Sequence, residues 1–168
     1  MFSWLPWSSK VADDVPDSQR HSAFLKRFED IRDKSNWAQV PEISGAELKD
    51  LPRDSYILVD VRSEAERNVS MIPGSITKEE FEKRFDELKD QDIVVYCAIG
   101  GRSGTYCKQL LATHPGLKVR NYAGSIIDWL HVPGALVDHE GKSTNKIHPG
   151  GSTWKQYVPA AGNYIIVT

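Results

Sequence analysis

Residues 93–111 read IVVYCAIGGRSGTYCKQLL. Ile93 to Tyr96 is a short, uninterrupted apolar run, the pattern of a strand buried on both faces. Cys97 follows at once. Residues 103–113 suit a helix, closed by Pro115-Gly116. The stretch is therefore a strand, a tight loop and a helix, with a cysteine at the carboxyl end of the strand.

The flanking sequence repeats the alternation. Tyr56 to Val61 (YILVDV) is a second apolar run and Leu117 to Tyr122 a third strand. Ser44 and Glu47 form a capping box that opens a helix, with Pro52 after its end. Pro73-Gly74 marks a turn. Thr77 and Glu80 make another capping box, and Phe81, Phe85 and Leu88 supply the apolar stripe of its helix. Ile126 to Leu130 suits a further short helix. Strands alternating with helices predict an α/β domain: a small parallel sheet with helices on both faces. Ligands of such sheets bind beyond the carboxyl ends of the strands, where Cys97 stands.

The loop has its own chemistry. Four residues separate Cys97 from Arg102, and a helix start follows, whose first N–H groups lack internal partners and carry partial positive charge. Gly100 and Gly101 free the backbone to turn those amides inward as an anion nest. A thiolate there is favoured over a thiol. Arg102 adds a permanent cation and a planar fork of donors suited to an anionic substrate. Ser103 caps the helix or donates to the loop. The competing reading is a buried, inert cysteine; the strand end, paired glycines and Arg102 together favour a reactive one. A sulfur walled off by apolar side chains would overturn that choice.

CAIGGRSG resembles the active-site loop of rhodanese-like sulfurtransferases. Other segments agree in order: LVDVRSEAE resembles the family's Asp-Val-Arg segment, MIPGSI its Ile-Pro-Gly turn, and NYAGSIIDW its Gly-Gly-x-x-x-Trp segment, with Gly124 and Trp129 in place. The resemblance runs from about Ser44 to Val137. Ser70 and Met71 stand where the family usually has Gly-His, and Ser125 stands at its second Gly.

The resemblance implies a rhodanese-like fold and a sulfurtransferase. Cys97 would attack a sulfane donor such as thiosulfate, become a persulfide, and pass the sulfur to cyanide or a thiol, a protein acceptor included. Ala98, Ile99, Gly100, Gly101, Arg102 and Ser103 would line the substrate site. By the same resemblance Asp60 braces the loop or a neighbouring Arg, or else caps a turn; Arg62 is its ion-pair partner or a substrate contact. Cysteine-dependent phosphatases and arsenate reductases of related architecture carry one more residue in the loop, and four intervening residues match a single sulfur better. A non-enzymatic binding or redox-sensing module is the alternative from another class.

Other residues read more plainly. Glu64 and Glu66 suit a solvated helix start. Cys107 lies ten residues beyond Cys97, and helical rise carries it away from the loop toward core packing. Trp129 suits the core. None of the five histidines shows zinc-type spacing with cysteine, so no metal and no cofactor is expected. His148 and Trp154 are not placed by the sequence.

The chain has 168 residues, 40% apolar and 26% charged, with a net charge of -2, ordinary for one globular domain. There is no basic footprint for nucleic acid and no apolar run long enough to span a bilayer. The opening MFSWLPWSSK is too short for a signal-peptide core, Pro6 interrupts it, and Asp13, Asp14 and Asp17 argue against a transit peptide. Two cysteines make no disulfide framework, which points to a reducing compartment such as the cytoplasm. Four segments are expected: a flexible arm (1–17) bearing Phe2, Trp4, Leu5 and Trp7, an N-terminal helix and connection (18–43), the rhodanese-like unit (44–138), and an irregular C-terminal extension (139–168) packing on it. Phe24, Phe28 and Ile31, with Leu25 beside them, give the N-terminal helix its apolar face.

Overall fold

The apolar runs become the middle of a five-stranded sheet. The computed structural model describes residues 14–168; the aromatic residues expected in the arm lie outside them. In chain order the elements are α1 (Asp17–Asp33), β1 (Glu42–Ile43), α2 (Gly45–Asp50), β2 (Ile57–Asp60), α3 (Glu64–Val69), β3 (Ile76–Thr77), α4 (Lys78–Lys83), α5 (Phe85–Leu88), β4 (Ile93–Tyr96), α6 (Gly101–Thr113), β5 (Val119–Tyr122) and α7 (Ser125–His131). The sheet order is β1-β5-β4-β2-β3, and every pairing is parallel. β4 is thus central, and Cys97 emerges between the ends of β2 and β5.

Side chains of a strand alternate between faces, so each run feeds two cores. Leu58, Val94, Tyr96 and Tyr122 pack on one side with Leu48 of α2 and Ile126, Ile127 and Leu130 of α7. Val59, Ile93, Val95 and Val119 pack on the other with Phe81, Leu88, Tyr106, Cys107 and Leu110. α1 serves both, Phe24 on one side and Phe28 on the other. α2 and α4 start at the expected capping boxes. A third box, Ser63–Glu66, opens α3.

The structure departs from the sequence reading in three places. α6 begins at Gly101 rather than 103, so Arg102 and Ser103 already lie in its first turn. The helix expected to run through Leu88 breaks at Arg84 into α4 and α5. The C-terminal extension is not wholly irregular: β6 (Leu136–Val137) pairs antiparallel with β7 (Ser143–Thr144), and β8 (Lys146–Ile147) pairs parallel with β9 (Ile165–Ile166). The last strand, β9, therefore joins β8 and not the main sheet.

One polar cluster sits inside the core. Arg62 and Asp60 form an ion pair at 2.7 Å with both side chains fully buried. The Tyr96 hydroxyl donates to Asp60 Oδ2 at 2.6 Å and accepts the Ile72 N–H at 3.1 Å. Arg62 Nη2 also donates to the Ser70 carbonyl at 2.6 Å. These bonds tie the end of β2 to the residue before Cys97 and to the turn entering β3. Removing one partner of a buried pair strands the other charge, at about 3–5 kcal/mol. Asp60→Ala should therefore lower unfolding stability in urea by that order, whereas Asp90→Ala on the exposed surface should change it by less than about 0.5 kcal/mol. Equal effects would refute this account of the cluster.

Candidate active site

Cys97 is the first residue beyond β4, and the residue is 1% exposed. The walls are not purely apolar. Gly100 N–H donates to Cys97 Sγ at 3.1 Å. The Ser103 hydroxyl stands 3.5 Å from the sulfur and 2.6 Å from Asn121 Oδ1. Gly100 has φ +113°, a region open chiefly to glycine; that conformation turns its amide inward. Its missing side chain is needed twice over, because a Cβ there would come 2.5 Å from the Phe28 ring.

The loop is anchored from the end of β5 and the turn that follows it. Asn121 of β5 donates its amide to the Gly100 carbonyl at 3.0 Å. The Cys97 N–H donates to Ser125 Oγ at 3.0 Å, and Ser125 donates to the Tyr122 carbonyl at 3.0 Å. Ser125 itself has φ +51°, so the departure from glycine keeps the backbone form and gains a hydroxyl. The first turn of α7 continues the clamp, Ile126 N–H to the Cys97 carbonyl and Ile127 N–H to the Ala98 carbonyl, each at 3.2 Å.

The expected site residues separate into distinct roles. Gly100 and Ser103 reach the sulfur. Ala98 is buried, and Ile99 packs on the α7 side of the sheet. Gly101 starts α6. Arg62 is enclosed in its pair with Asp60, not turned to a substrate. Arg102 is not a free cation: Nη1 and Nη2 donate to Glu66 Oε2 and Oε1 at 2.7 and 2.8 Å. Glu66 is correspondingly not solvated but 4% exposed. It accepts from the Ser63 N–H and hydroxyl as well. Asn121, Ser125 and Glu66 were missed from the sequence. Their signal lies in the parallel register Asp60↔Tyr96 and Val95↔Asn121, which sets the three strand ends side by side.

Electrostatics at the sulfur follow from this geometry. Burial opposes ionisation of the Cys97 thiol, but the Ser103 hydroxyl and amide, the Arg102 charge and the Gly100 amide outweigh it, and the pKa falls below the ordinary value. Cys107, buried among apolar side chains, is pushed far up by burial and by the charge of Cys97. Burial opposes ionisation of Glu66 too, yet its bonds from Arg102 and Ser63 bring its pKa down to about 2.

The loop is roofed by segments from both ends of the chain. Phe28 of α1 lies over Gly100 and Phe24 over Gly124. From the other end, His148 Nδ1 is 4.0 Å from Glu66 Oε1, and a Cβ on Gly150 would land on the Ala98 side chain. Trp154 packs near Tyr157, ring centroids 6.0 Å apart. Among the described residues no cluster of His, Cys, Asp or Glu could hold a metal ion, and no helix is long and apolar enough to cross a membrane.

Residues 44–132, more than half of the chain, match the rhodanese-like domain. The chain belongs to that family. A protein named sulfurtransferase from Allochromatium vinosum is 35% identical over 107 residues, covering 61% of this chain and 99% of that one. Among solved structures, the thiosulfate sulfurtransferase of Pseudomonas aeruginosa is similar with a TM-score of 0.53 and 23% identity, over 71% of this chain. The match spans 23% of that longer protein. A rhodanese-like domain from Anabaena gives a TM-score of 0.50 and 20% identity, covering 58% of this chain and 79% of that one. At these identities the structural likeness speaks for the fold. α1 and the residues around His148 that roof the loop lie outside the matched rhodanese-like segment.

Two outcomes follow. The rate of Cys97 alkylation by iodoacetamide should titrate with a midpoint below that of free cysteine, and Ser103→Ala should move the midpoint upward; a midpoint above free cysteine would sink the electrostatic account. Gly150→Ala, strained by its φ of +84° and by Ala98, should cost about 1 kcal/mol and speed Cys97 alkylation. An unchanged rate would show that this segment does not guard the sulfur.

Proposed function

We propose that the protein is a sulfurtransferase that carries a sulfane sulfur on Cys97. The carrying observation is the sulfur itself, held at the carboxyl end of the central strand by the Gly100 amide at 3.1 Å with Ser103 beside it. A thiolate in that position is the nucleophile such chemistry requires.

The Cys97 thiolate attacks the outer sulfur of a donor R–S–SH or of thiosulfate. The new S–S bond forms as the donor S–S or S–SO3 bond breaks, and the leaving thiolate or sulfite keeps the electron pair. Cys97 then bears a persulfide, whose outer sulfur occupies space near the inward amides of the loop. A thiol or cyanide acceptor attacks that outer sulfur, and Cys97 departs as the stabilised thiolate. No external oxidant is needed, and the two half-reactions give ping-pong kinetics. Arg102 is half exposed, so donor and acceptor meet the site from that side. The lowered pKa serves both halves: it supplies the attacking anion first and a good leaving group second. A loop of four residues between Cys97 and Arg102 supports transfer of one sulfur over phosphoryl or arsenate chemistry, which needs donors for a larger tetrahedral anion. A reduced Cys97 suits a reducing compartment such as the cytoplasm.

Intact mass after exposure to either thiosulfate or 2-hydroxyethyl persulfide tests the reading. One added sulfur on the wild type, removable by a thiol and absent in Cys97→Ser, is the expected result. Turnover to thiocyanate with cyanide should fall by roughly a thousandfold or more in that variant. Loading by neither donor, or loading that survives Cys97→Ser, would overturn the assignment.

A further inference from the structure

Away from the sulfur, three segments meet at a pair of histidines. The rings of His21, on α1, and His131, at the end of α7, stack with centroids 4.4 Å apart and planes within 4°. His21 Nε2 is 2.6 Å from Asp128 Oδ1, and the Tyr122 hydroxyl of β5 donates to Asp128 Oδ2 at 2.8 Å. His131 Nε2 is 2.7 Å from the Tyr157 carbonyl, in the C-terminal extension. Carboxylate and carbonyl oxygens only accept, so each ring carries its hydrogen on Nε2 and any further proton enters at Nδ1. Other contacts tie the same junction. Arg20 donates to the Gln156 carbonyl at 2.5 Å, and the Asp17 carboxylate accepts the Ala160 and Ala161 N–H groups at 2.7 and 2.9 Å. Phe24 packs on Tyr157, ring centroids 5.5 Å apart. His21 and the extension lie outside the matched rhodanese-like segment, so the stack is where the flanking segments join it.

The two rings differ in what answers a charge. A proton on His21 makes an imidazolium with Asp128 as its counterion. A proton on His131 has only a carbonyl at hydrogen-bond distance and the His21 ring against its face. Burial opposes that proton and the His21 ring adds to the opposition; the Tyr157 carbonyl, Asp128 and Asp17 favour it and are outweighed, so His131 titrates below the ordinary histidine value. The cations at the junction offer it no counterion: Arg20 is bound to Gln156, and Lys49 of α2 donates to the Val132 and Pro133 carbonyls just beyond α7. Burial opposes ionisation of Asp17 as well, but its two amides outweigh it and hold that carboxyl below the ordinary value, so it does not titrate with the histidines. We infer that the His21–His131 stack is a proton-sensitive latch: a proton on His131 loosens the C-terminal extension and α1 from α7, and with them the cover over Cys97. The link to the cover is direct, since α1 also sets Phe28 over Gly100 and the extension sets Gly150 against Ala98. Once undocked, a histidine titrates near 6.5. The opened form therefore takes up the proton first as pH falls, and gains on the closed form below about pH 6.5; at neutral pH the latch is shut. What it sets is access to the sulfur, whatever sulfur chemistry follows.

The test follows amide hydrogen exchange, corrected for its intrinsic pH dependence, in residues 154–161 and in β4 between about pH 7.5 and about pH 5.5. In the wild type, protection of 154–161 should fall by about fivefold toward acid, the range one histidine supplies over that interval, while β4 keeps its protection. His131→Gln retains a side-chain N–H for the Tyr157 carbonyl without a titrating group, and His131→Phe retains a stacked ring. In both, the acid loss should shrink to less than about twofold. Alkylation of Cys97 by iodoacetamide reads the cover. The ratio of wild-type to His131→Gln rates cancels the thiolate fraction and should rise by about fivefold over the same interval. Flat wild-type protection, an acid loss that persists in either variant, an equal loss in β4, or a constant alkylation ratio would each overturn the inference.

Discussion

The bond from the Gly100 N–H to the Cys97 sulfur is the constraint around which this end of the molecule is arranged. It exists only because residue 100 takes a positive φ, which only glycine adopts readily, and because α6 begins one residue later. The remaining contacts hold that geometry in place. Asn121 fixes the Gly100 carbonyl, Ser125 fixes the Cys97 amide, and the first turn of α7 fixes the carbonyls of Cys97 and Ala98. A thiolate stabilised by preset amides costs no reorganisation when charge appears on it. The loop is short, and each of its backbone groups so named has a partner; little freedom is left to lose.

Strand order explains how so short a loop acquires so many partners. β4 lies between β5 and β2, so the residues after those two strands stand on either side of Cys97. β5 contributes Asn121 and, through the turn that follows, Ser125. β2 contributes Asp60, bonded through Tyr96 to the residue immediately before Cys97, and the turn after it leads to Glu66. The neutral contacts gather on the β5 side and the charged ones on the β2 side. α1 then crosses the carboxyl ends of β4 and β5, Phe28 over one loop and Phe24 over the next.

Much of this was legible in the sequence, and what was not has a physical reason. The strands could be read because each is a run of apolar residues buried on both faces, and α2 and α4 because their caps are local patterns three residues apart. The Cys-to-Arg spacing and paired glycines marked the loop for the same reason. Glu66 was misread because a glutamate in the first turn of a short helix ordinarily faces water, and its partner lies 36 residues away. Only the pairing of β2 with β4 brings them together. Asn121 sat unremarked inside a strand reading of VRNY, where a polar residue looks like a solvent-facing position. The segment carrying His148 and Gly150 has no periodicity at all, so its return to the loop is set by tertiary packing alone.

The two cysteines show how far environment, rather than residue type, decides chemistry here. They lie at opposite parts of one loop-helix unit, and both are buried. Accessibility therefore cannot separate them. What separates them is the polarity of the wall each one faces. Cys107 meets the apolar side chains packed between α6 and the sheet, so its charged form has nothing to compensate the loss of water, and it remains a thiol that fills space. Cys97 loses water to the same degree but receives an amide, a hydroxyl and a nearby guanidinium in exchange. Burial without such donors would make a sulfur inert; burial with them excludes water from the sulfur while favouring its anion over the ordinary thiol. That combination suits the proposed role of Cys97, since a sulfane sulfur left open to bulk thiols would be discharged before it met its acceptor.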